Sequence, residues 1–503
     1  MFDIIVVGSG PAGVFSSIGL TGLKILMLDV GLINKFIFND EDLPHKKLDF
    51  SSNFKFHIGK NYHSLEKIFN PELNIKLNSP AFEFITHRSK ELCPIQENNF
   101  NATLSFAKGG LMNAWGGVSY KYEDQDLKDF PFNYNEIKEY YEKAENIADT
   151  STISEKSKNI NPLIKTLYSK YKSHTYYFDK RGVIIKKLPI LNDSQNNKSN
   201  YNSFFHNQHS IYTTNITLDS LIEKKILLYK NNLMVTKFVE TDNHVNVYTS
   251  HIDTGEEKVF SAKKLILAAG CLGTSKIVLN SFNDYSTKLP LQANETSYTP
   301  FLNPFFIGKN DTNNFSTLSH GLISNQHNCH NTICTSFHTI NNIAISDLIM
   351  EIPFPIRNNL FISKLLKPSL LISQIFYPSV ISNKNWIKIE RNQKLKINYE
   401  THTKAQFEKT LITYLRKTGF FSHIKLSKKQ MPGSSFHYSS TLPMKKQPAQ
   451  YQTDPYGKLF NTENVYVSDS ANFSYLPAKN LTLTIMANAL RITDKIKKQF
   501  NNI

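Results

Sequence analysis

Gly8-Ser9-Gly10-Pro11-Ala12-Gly13 follows the apolar run Ile4-Ile5-Val6-Val7 and leads into a stretch with helical spacing that lasts to about Leu20. The run reads as a buried strand, the glycines as a tight turn and the rest as a helix. Residues 24–28 are a second apolar run, so the chain opens as a β-α-β unit. Each glycine has a task in such a turn. Gly8 permits the sharp bend, Gly10 lets the backbone approach a pyrophosphate, and Gly13 lets the helix pack close to the strand. The free N–H groups and partial positive charge of the helix N-terminus favour phosphate. Asp29 ends the second strand, where a carboxylate can accept hydrogen bonds from both hydroxyls of a ribose. A dinucleotide site follows from strand, turn, helix and acid together. The motif by itself does not separate FAD from NAD.

The rest of the chain bounds what surrounds that site. At 503 residues the chain is long enough for roughly two domains, and 40% apolar residues, with 35 Phe and 24 Tyr, suffice for buried cores. The formal charge is +16, but no dense Lys/Arg run appears, which argues against a nucleic-acid role and for a basic residue set spread over a solvated surface. Cys93, Cys271, Cys329 and Cys334 make no CxxC pair and no metal-ligand spacing; Cys329 and Cys334 stand close enough to pair, although reduced thiols are the simpler reading. No metal is expected. No basic segment precedes the first strand, so a cytoplasmic location is the expectation. The charge-free stretch 368–383 is too short and too rich in Pro and Ser to span a bilayer. It has two readings: a surface touching anionic membrane, given the flanking Lys364, Lys367, Lys384 and Lys388, or a buried strand of a substrate-binding region.

Further segments carry chemistry of their own. Gly109-Gly110-Leu111-Met112-Asn113-Ala114-Trp115-Gly116-Gly117 places four glycines in nine residues, which lets a loop lie flat against a planar or anionic ligand. A helix is predicted over 135–148 and another over 218–229, followed by strands over 234–240, 245–251 and 258–260. Residues 264–268 read as a buried strand that breaks at Ala269-Gly270 and enters a helix. His437 sits in Ser434-Ser435-Phe436-His437-Tyr438-Ser439-Ser440-Thr441; a lone histidine is more often structural than catalytic. Residues 464–471 form a strand ending in Asp469, Ser470 and Ala471. Asn480 or Thr482 can cap the last helix, which runs to about Lys498. Residues 191–210 read as an Asn- and Ser-rich loop, and a helix is expected near 404–418.

Taken in order, these segments resemble the glucose–methanol–choline (GMC) family of flavin oxidoreductases, most closely its bacterial sugar dehydrogenase and pyranose oxidase-like branch. The resemblance implies FAD at Gly8, Gly10, Pro11, Ala12, Gly13 and Asp29. It places Gly109, Gly110, Asn113, Trp115, Gly116 and Gly117 near the flavin and pyrophosphate, Val235 at the adenine, and Ala269 and Gly270 beside the cofactor. Asp469 and Ala471 match the segment that reaches the pyrophosphate and ribityl chain, and Asn480, Leu481 and Thr482 match the flavin's pyrimidine edge. His437 and Asn480 inherit the catalytic places. Some relatives attach FAD covalently through a His just before the Trp of the second glycine loop; that position is Ala114 here, so FAD is expected to be non-covalent. Ser440 stands before Thr441 where relatives often have Gly, and Leu481 stands where many have Pro.

The expected fold is α/β. A discontinuous Rossmann-type FAD-binding domain uses 1–135, 205–292 and 430–503, and a second α+β substrate domain, built on an antiparallel sheet, uses 136–204 and 293–429. The implied reaction is oxidation of an alcohol, with a sugar or glycan precursor as the expected kind. The electron acceptor is left open. The alternatives are a sterol or lipid alcohol oxidase or a lyase on the same fold, and a non-catalytic FAD-binding protein.

Overall fold

A computed structural model describes residues 1–33, 77, 82–148, 160–193, 210–309, 318–324, 331–340, 355–401 and 407–501. The opening unit forms as predicted: strand Phe2–Val7, helix Pro11–Gly19 and strand Ile25–Leu28. Phe2–Val7 lies inside a seven-stranded sheet, parallel to Ile25–Leu28 on one side and to Glu257–Leu267 on the other. Ile4, Ile5 and Val6 are fully buried because both faces of this sheet are covered, which is why the run is continuously apolar rather than alternating.

The two ends of the chain meet here. Val465–Val467 pairs in parallel with the later half of Glu257–Leu267, and the final helix Thr482–Asn501 packs on Pro11–Gly19. Gly19 makes that contact close: a Cβ there would sit 2.1 Å from Thr493 Oγ1.

Two elements differ from their sequence reading. Residues 218–229 are not one helix but the helix Thr214–Glu223 and the strand Leu227–Lys230. Lys225 adopts a left-handed φ of 55°, which ends the helix, and the following apolar residues pair in parallel with Ile25–Leu28. Residues 258–260 and 264–268 are one strand, Glu257–Leu267. Its first half runs antiparallel to Val245–His251 and its second half parallel to Phe2–Val7, so the single strand joins the antiparallel and parallel halves of the seven-stranded sheet.

A second, antiparallel sheet has six strands in the order Lys428–Lys429, Thr296–Leu302, Leu370–Phe376, Ile333–Thr339, Leu318–Ser324 and Val183–Lys187. Phe301, Leu322, Phe337, Leu371 and Ile375 bury one face in a core shared with helices Pro162–Lys172 and Phe407–Arg416. The other face roofs a cavity. The apolar stretch 368–383 therefore supplies an inner strand of this sheet, hydrogen-bonded on both edges. A small sheet built on the hairpin Trp386–Ile389 and Leu395–Asn398 buries Ile387, Ile389, Leu395 and Ile397 against the seven-stranded sheet instead. The helix Tyr134–Ile147 begins with a capping box between Asn133 and Glu136.

Cys93, Cys271 and Cys334 are buried free thiols, and Cys329 lies outside the described residues. So does most of the Asn- and Ser-rich stretch 191–210. Among the described residues no helix is long and apolar enough to cross a membrane, and no group of side chains is arranged to hold a metal ion.

Candidate active site

A cavity of about 1330 Å³ runs from the first glycine turn to the roof formed by the antiparallel sheet. It exceeds the roughly 300–1,000 Å³ of an ordinary small-molecule pocket, which leaves room for a dinucleotide and a second ligand. The N-termini of helices Pro11–Gly19, Gly270–Ser281 and Thr482–Asn501 all open on it, each contributing N–H groups and partial positive charge.

At the nucleotide end the glycines do what the turn requires. Gly8 has φ +98°, and a Cβ there would meet Ala268 O at 2.5 Å; a Cβ on Gly13 would meet Gly8 O at 1.9 Å. Gly10 is different, because a Cβ there would meet no protein atom within 4 Å and would project into the cavity. Asp29 is held by the hydroxyls of Ser9 and Tyr229, both donating to Oδ2. Burial pushes its carboxyl up to about 6, against those hydrogen bonds and the backbone N–H groups of Val30 and Gly31. Ser9 also accepts from Gly109 N–H at 2.9 Å and so ties the two glycine loops together. Val235 lines this end beside Leu233.

The second glycine loop divides by role. Gly110, Ala114, Trp115 and Gly116 line the cavity. Gly109, Asn113 and Gly117 do not line it and instead shape the loop. Asn113 donates to Lys108 O and Gly110 O, both at 2.8 Å, and accepts from Asn215. Gly109 and Gly117 take positive φ where any Cβ would strike Asn215 or Ile190. Trp115 is pinned by its Nε1 donating to Tyr212 O at 2.9 Å.

Ala269, Gly270 and Asp469 line the cavity at the second helix N-terminus. Thr274 donates to Asp469 at 2.5 Å and Ala471 N–H at 2.9 Å; burial pushes this carboxyl, too, up to about 6. Ala471 is fully buried behind Asp469 and does not line the cavity.

His437 stands at the other end, under the antiparallel sheet, its ring stacked on Phe376 with centroids 5.3 Å apart. The residue before it, Phe436, has φ +62°, a strained backbone that persists only when its surroundings impose it. The strand Tyr438–Ser439 pairs with Gln292–Ala293 and brings Asn294 beside the imidazole. His437 Nδ1 lies 3.0 Å from Asn294 Oδ1. The Asn294 amide nitrogen donates to Tyr377 O at 2.9 Å and Pro477 O at 3.0 Å, so its two protons are committed and its oxygen must face the ring. Nδ1 is therefore the protonated nitrogen, and Nε2 carries the lone pair. Burial lowers the His437 pKa to about 4, so the ring is neutral at pH 7.

Asn480, Leu481 and Thr482 line the cavity at the start of the last helix. Among the described residues the Asn480 side chain makes no hydrogen bond, so it is not spent as a helix cap. Lys479, its neighbour, is buried and donates to the fully buried Asp126 at 2.6 Å, which anchors this loop. Asn294 thus bridges both catalytic candidates, holding His437 directly and the Asn480 loop through Pro477.

The chain segment that contains both of these residues has recognisable kin. Residues 391–489 match the GMC oxidoreductase family. The GMC match spans His437 and Asn480 but not the opening glycine turn. Solved structures with a similar fold include an FAD-dependent oxidoreductase from Chaetomium thermophilum, with 13% identity and a TM-score of 0.62 over 100% of both chains. Another is a formate oxidase from Aspergillus oryzae, with 12% identity and a TM-score of 0.60 over 100% of this chain and 99% of that one. No curated protein sequence matches the chain. A point of difference from the GMC pattern has a structural counterpart: Ser440, where relatives often carry Gly, has φ +69°, a left-handed backbone that glycine adopts freely.

Ser9, Tyr229, Asn294, Phe376, Lys479 and Asp126 escaped the sequence reading. Ser9 lies inside the quoted turn and was within reach. Nothing local marks the others, whose partners are remote in the chain.

Proposed function

We propose that the chain is an FAD-dependent oxidoreductase that oxidises an alcohol, with His437 as the base. The observation that carries this reading is the committed amide of Asn294, which leaves His437 Nε2 as a neutral acceptor in a cavity continuous with a dinucleotide cradle. The residues present fit FAD. Gly10 leaves space that no protein atom fills, three helix N-termini suit the pyrophosphate, Asp29 suits a ribose, and Leu233 and Val235 suit adenine. Ala114, Trp115, Gly116 and the start of the last helix would flank the flavin, and Ala114 offers no atom for covalent attachment. When bound, FAD supplies the acceptor for the hydride that leaves the carbinol carbon.

The chain's own residues do the remaining work. His437 Nε2 takes the hydroxyl proton as the carbonyl forms, and the Nδ1 hydrogen bond to Asn294 steadies the imidazolium that results. Asn480, its amide unspent, donates to the substrate oxygen and orients the carbinol carbon. Phe376 covers one face of the imidazole and keeps it dry.

Anaerobic mixing with alcohols tests the reading. Bleaching of bound flavin supports it, and a protein that stays yellow with every alcohol is a binding protein instead. Replacing His437→Ala should leave the protein yellow and slow bleaching by on the order of 10²-fold or more; undiminished bleaching removes the proposed base.

A further inference from the structure

Resting on the reading of His437 as the substrate-side base, we propose that the alcohol is an elongated amphipathic molecule whose apolar tail lies along the underside of the antiparallel sheet. The register of the strands lays out the space. Nearest His437 is Phe376, in a row with Thr296 and Cys334. The next row on the same face is Tyr298, Gln374 and Ser336, and the one after is Pro300, Ile372 and His338. Leu370 follows, and Leu366, Ile340 and Leu426 complete that end. Side chains on one face of a strand recur every second residue at ~3.3 Å per residue, so the distance from Phe376 to Leu370 is about 20 Å. All the named residues of the second and third rows line the same cavity as His437.

The chemistry of the lining changes along this length. Beside the flavin end a phenol, an amide and a hydroxyl can satisfy a polar head that carries the reacting hydroxyl. Further out Pro300, Ile372, Leu370 and Leu366 are aliphatic, with His338 and Lys425 among them. A sugar long enough to fill this space would set hydroxyl groups against Ile372, Leu370 and Leu366, which offer them no partner, and each hydroxyl buried unpaired there weakens binding. An alkyl or ring-hydrocarbon tail loses nothing there and gains from leaving water. Leu426 lines the cavity yet is 54% exposed, and Phe361 and Leu365 on the neighbouring helix Ile356–Leu366 are also exposed. The far end therefore meets solvent beside these apolar side chains and Lys425, an entry that admits such a tail.

The test uses two homologous series on the purified flavin-loaded protein. The n-alkyl methyl ethers carry no hydroxyl and report binding alone, by calorimetry. The n-alkanols report binding and bleaching. The dissociation constant of the ethers is expected to fall about fourfold for each added methylene until the tail fills the space, then level off. Ile372→Asn should raise the constant for the longest ethers by on the order of tenfold. Affinity independent of chain length, or tighter binding of free sugars than of long ethers, overturns the proposal. If the ethers show the expected series while no alcohol bleaches the flavin, the tail site stands and the assignment of alcohol oxidation falls.

Discussion

Replacing Asn294 separates the tautomer argument from every other explanation of His437. Asn294→Ala removes the acceptor 3.0 Å from His437 Nδ1 and the donors to Tyr377 O and Pro477 O. Three hydrogen bonds at ~1 kcal/mol each make the protein about 3 kcal/mol less stable. The chemical effect is distinct. Without the amide oxygen the proton is free to settle on Nε2, where it abolishes the base, and restoring the working form costs about 1.4–3 kcal/mol. That corresponds to a bleaching rate about 10- to 160-fold lower. Asn294 does not line the cavity, so flavin content should be unchanged. Asn294→Asp supplies the contrasting result. Its carboxylate still accepts from Nδ1 but adds a negative charge, worth about 4 kcal/mol at ~4 Å and an effective dielectric of ~20, or about 3 pH units. Burial holds the wild-type ring at about 4, and the new charge opposes that. A base works when neutral, so the acid limb of kcat/KM should lie near pH 4 in the wild type and move toward neutrality in the Asp variant. The Asp variant should therefore lose activity at pH 6 and recover it at pH 8. Wild-type bleaching by a fully flavinated Asn294→Ala protein, or an acid limb unmoved in Asn294→Asp, would refute the reasoning.

Three further outcomes follow from the geometry. Gly10→Val should fold, since Gly10 has an extended backbone (φ −66°, ψ −176°) and its Cβ meets no protein atom, but should purify colourless; stoichiometric flavin would contradict the pyrophosphate cradle. Ser440→Gly should stabilise the protein by about 1 kcal/mol by relieving a left-handed serine at φ +69°, read as a later thermal transition; an earlier one would show that the Ser439–Ser440 hydroxyl contact outweighs the strain. Lys479→Met strands the buried Asp126 carboxylate and should cost about 3–5 kcal/mol in chemical denaturation, whereas Lys479→Met with Asp126→Asn should recover most of it.

The opening unit was legible because its instructions are contiguous. A strand, a bend that needs Gly8 and a helix that begins at Pro11 occupy adjacent residues, and Asp29 follows at the next strand's end. The capped helix Tyr134–Ile147 and the hairpin strands Leu233–Glu240 and Val245–His251 were legible for the same reason. Residues 227–230 were not, because a short apolar run carries either helix or strand, and pairing with Ile25–Leu28 decided which. Ser440 shows the converse: the departure from Gly was visible in the sequence, but its meaning required the backbone angle.

What the sequence determined by itself was the opening turn: which residues bend, which lie close to the strand and which acid waits at the strand end, all set by steric and hydrogen-bonding demands between near neighbours. Tertiary structure decided the chemistry of the far end. His437 acquires a defined tautomer and a stacked, buried ring only because Asn294, Phe376 and Pro477 arrive from three other segments. The alternation along Leu370–Phe376 becomes the roof of a cavity only when its neighbours set the register. A chain records the preferences of adjacent residues, but a proton's position is chosen by whichever groups folding brings within 3 Å of it.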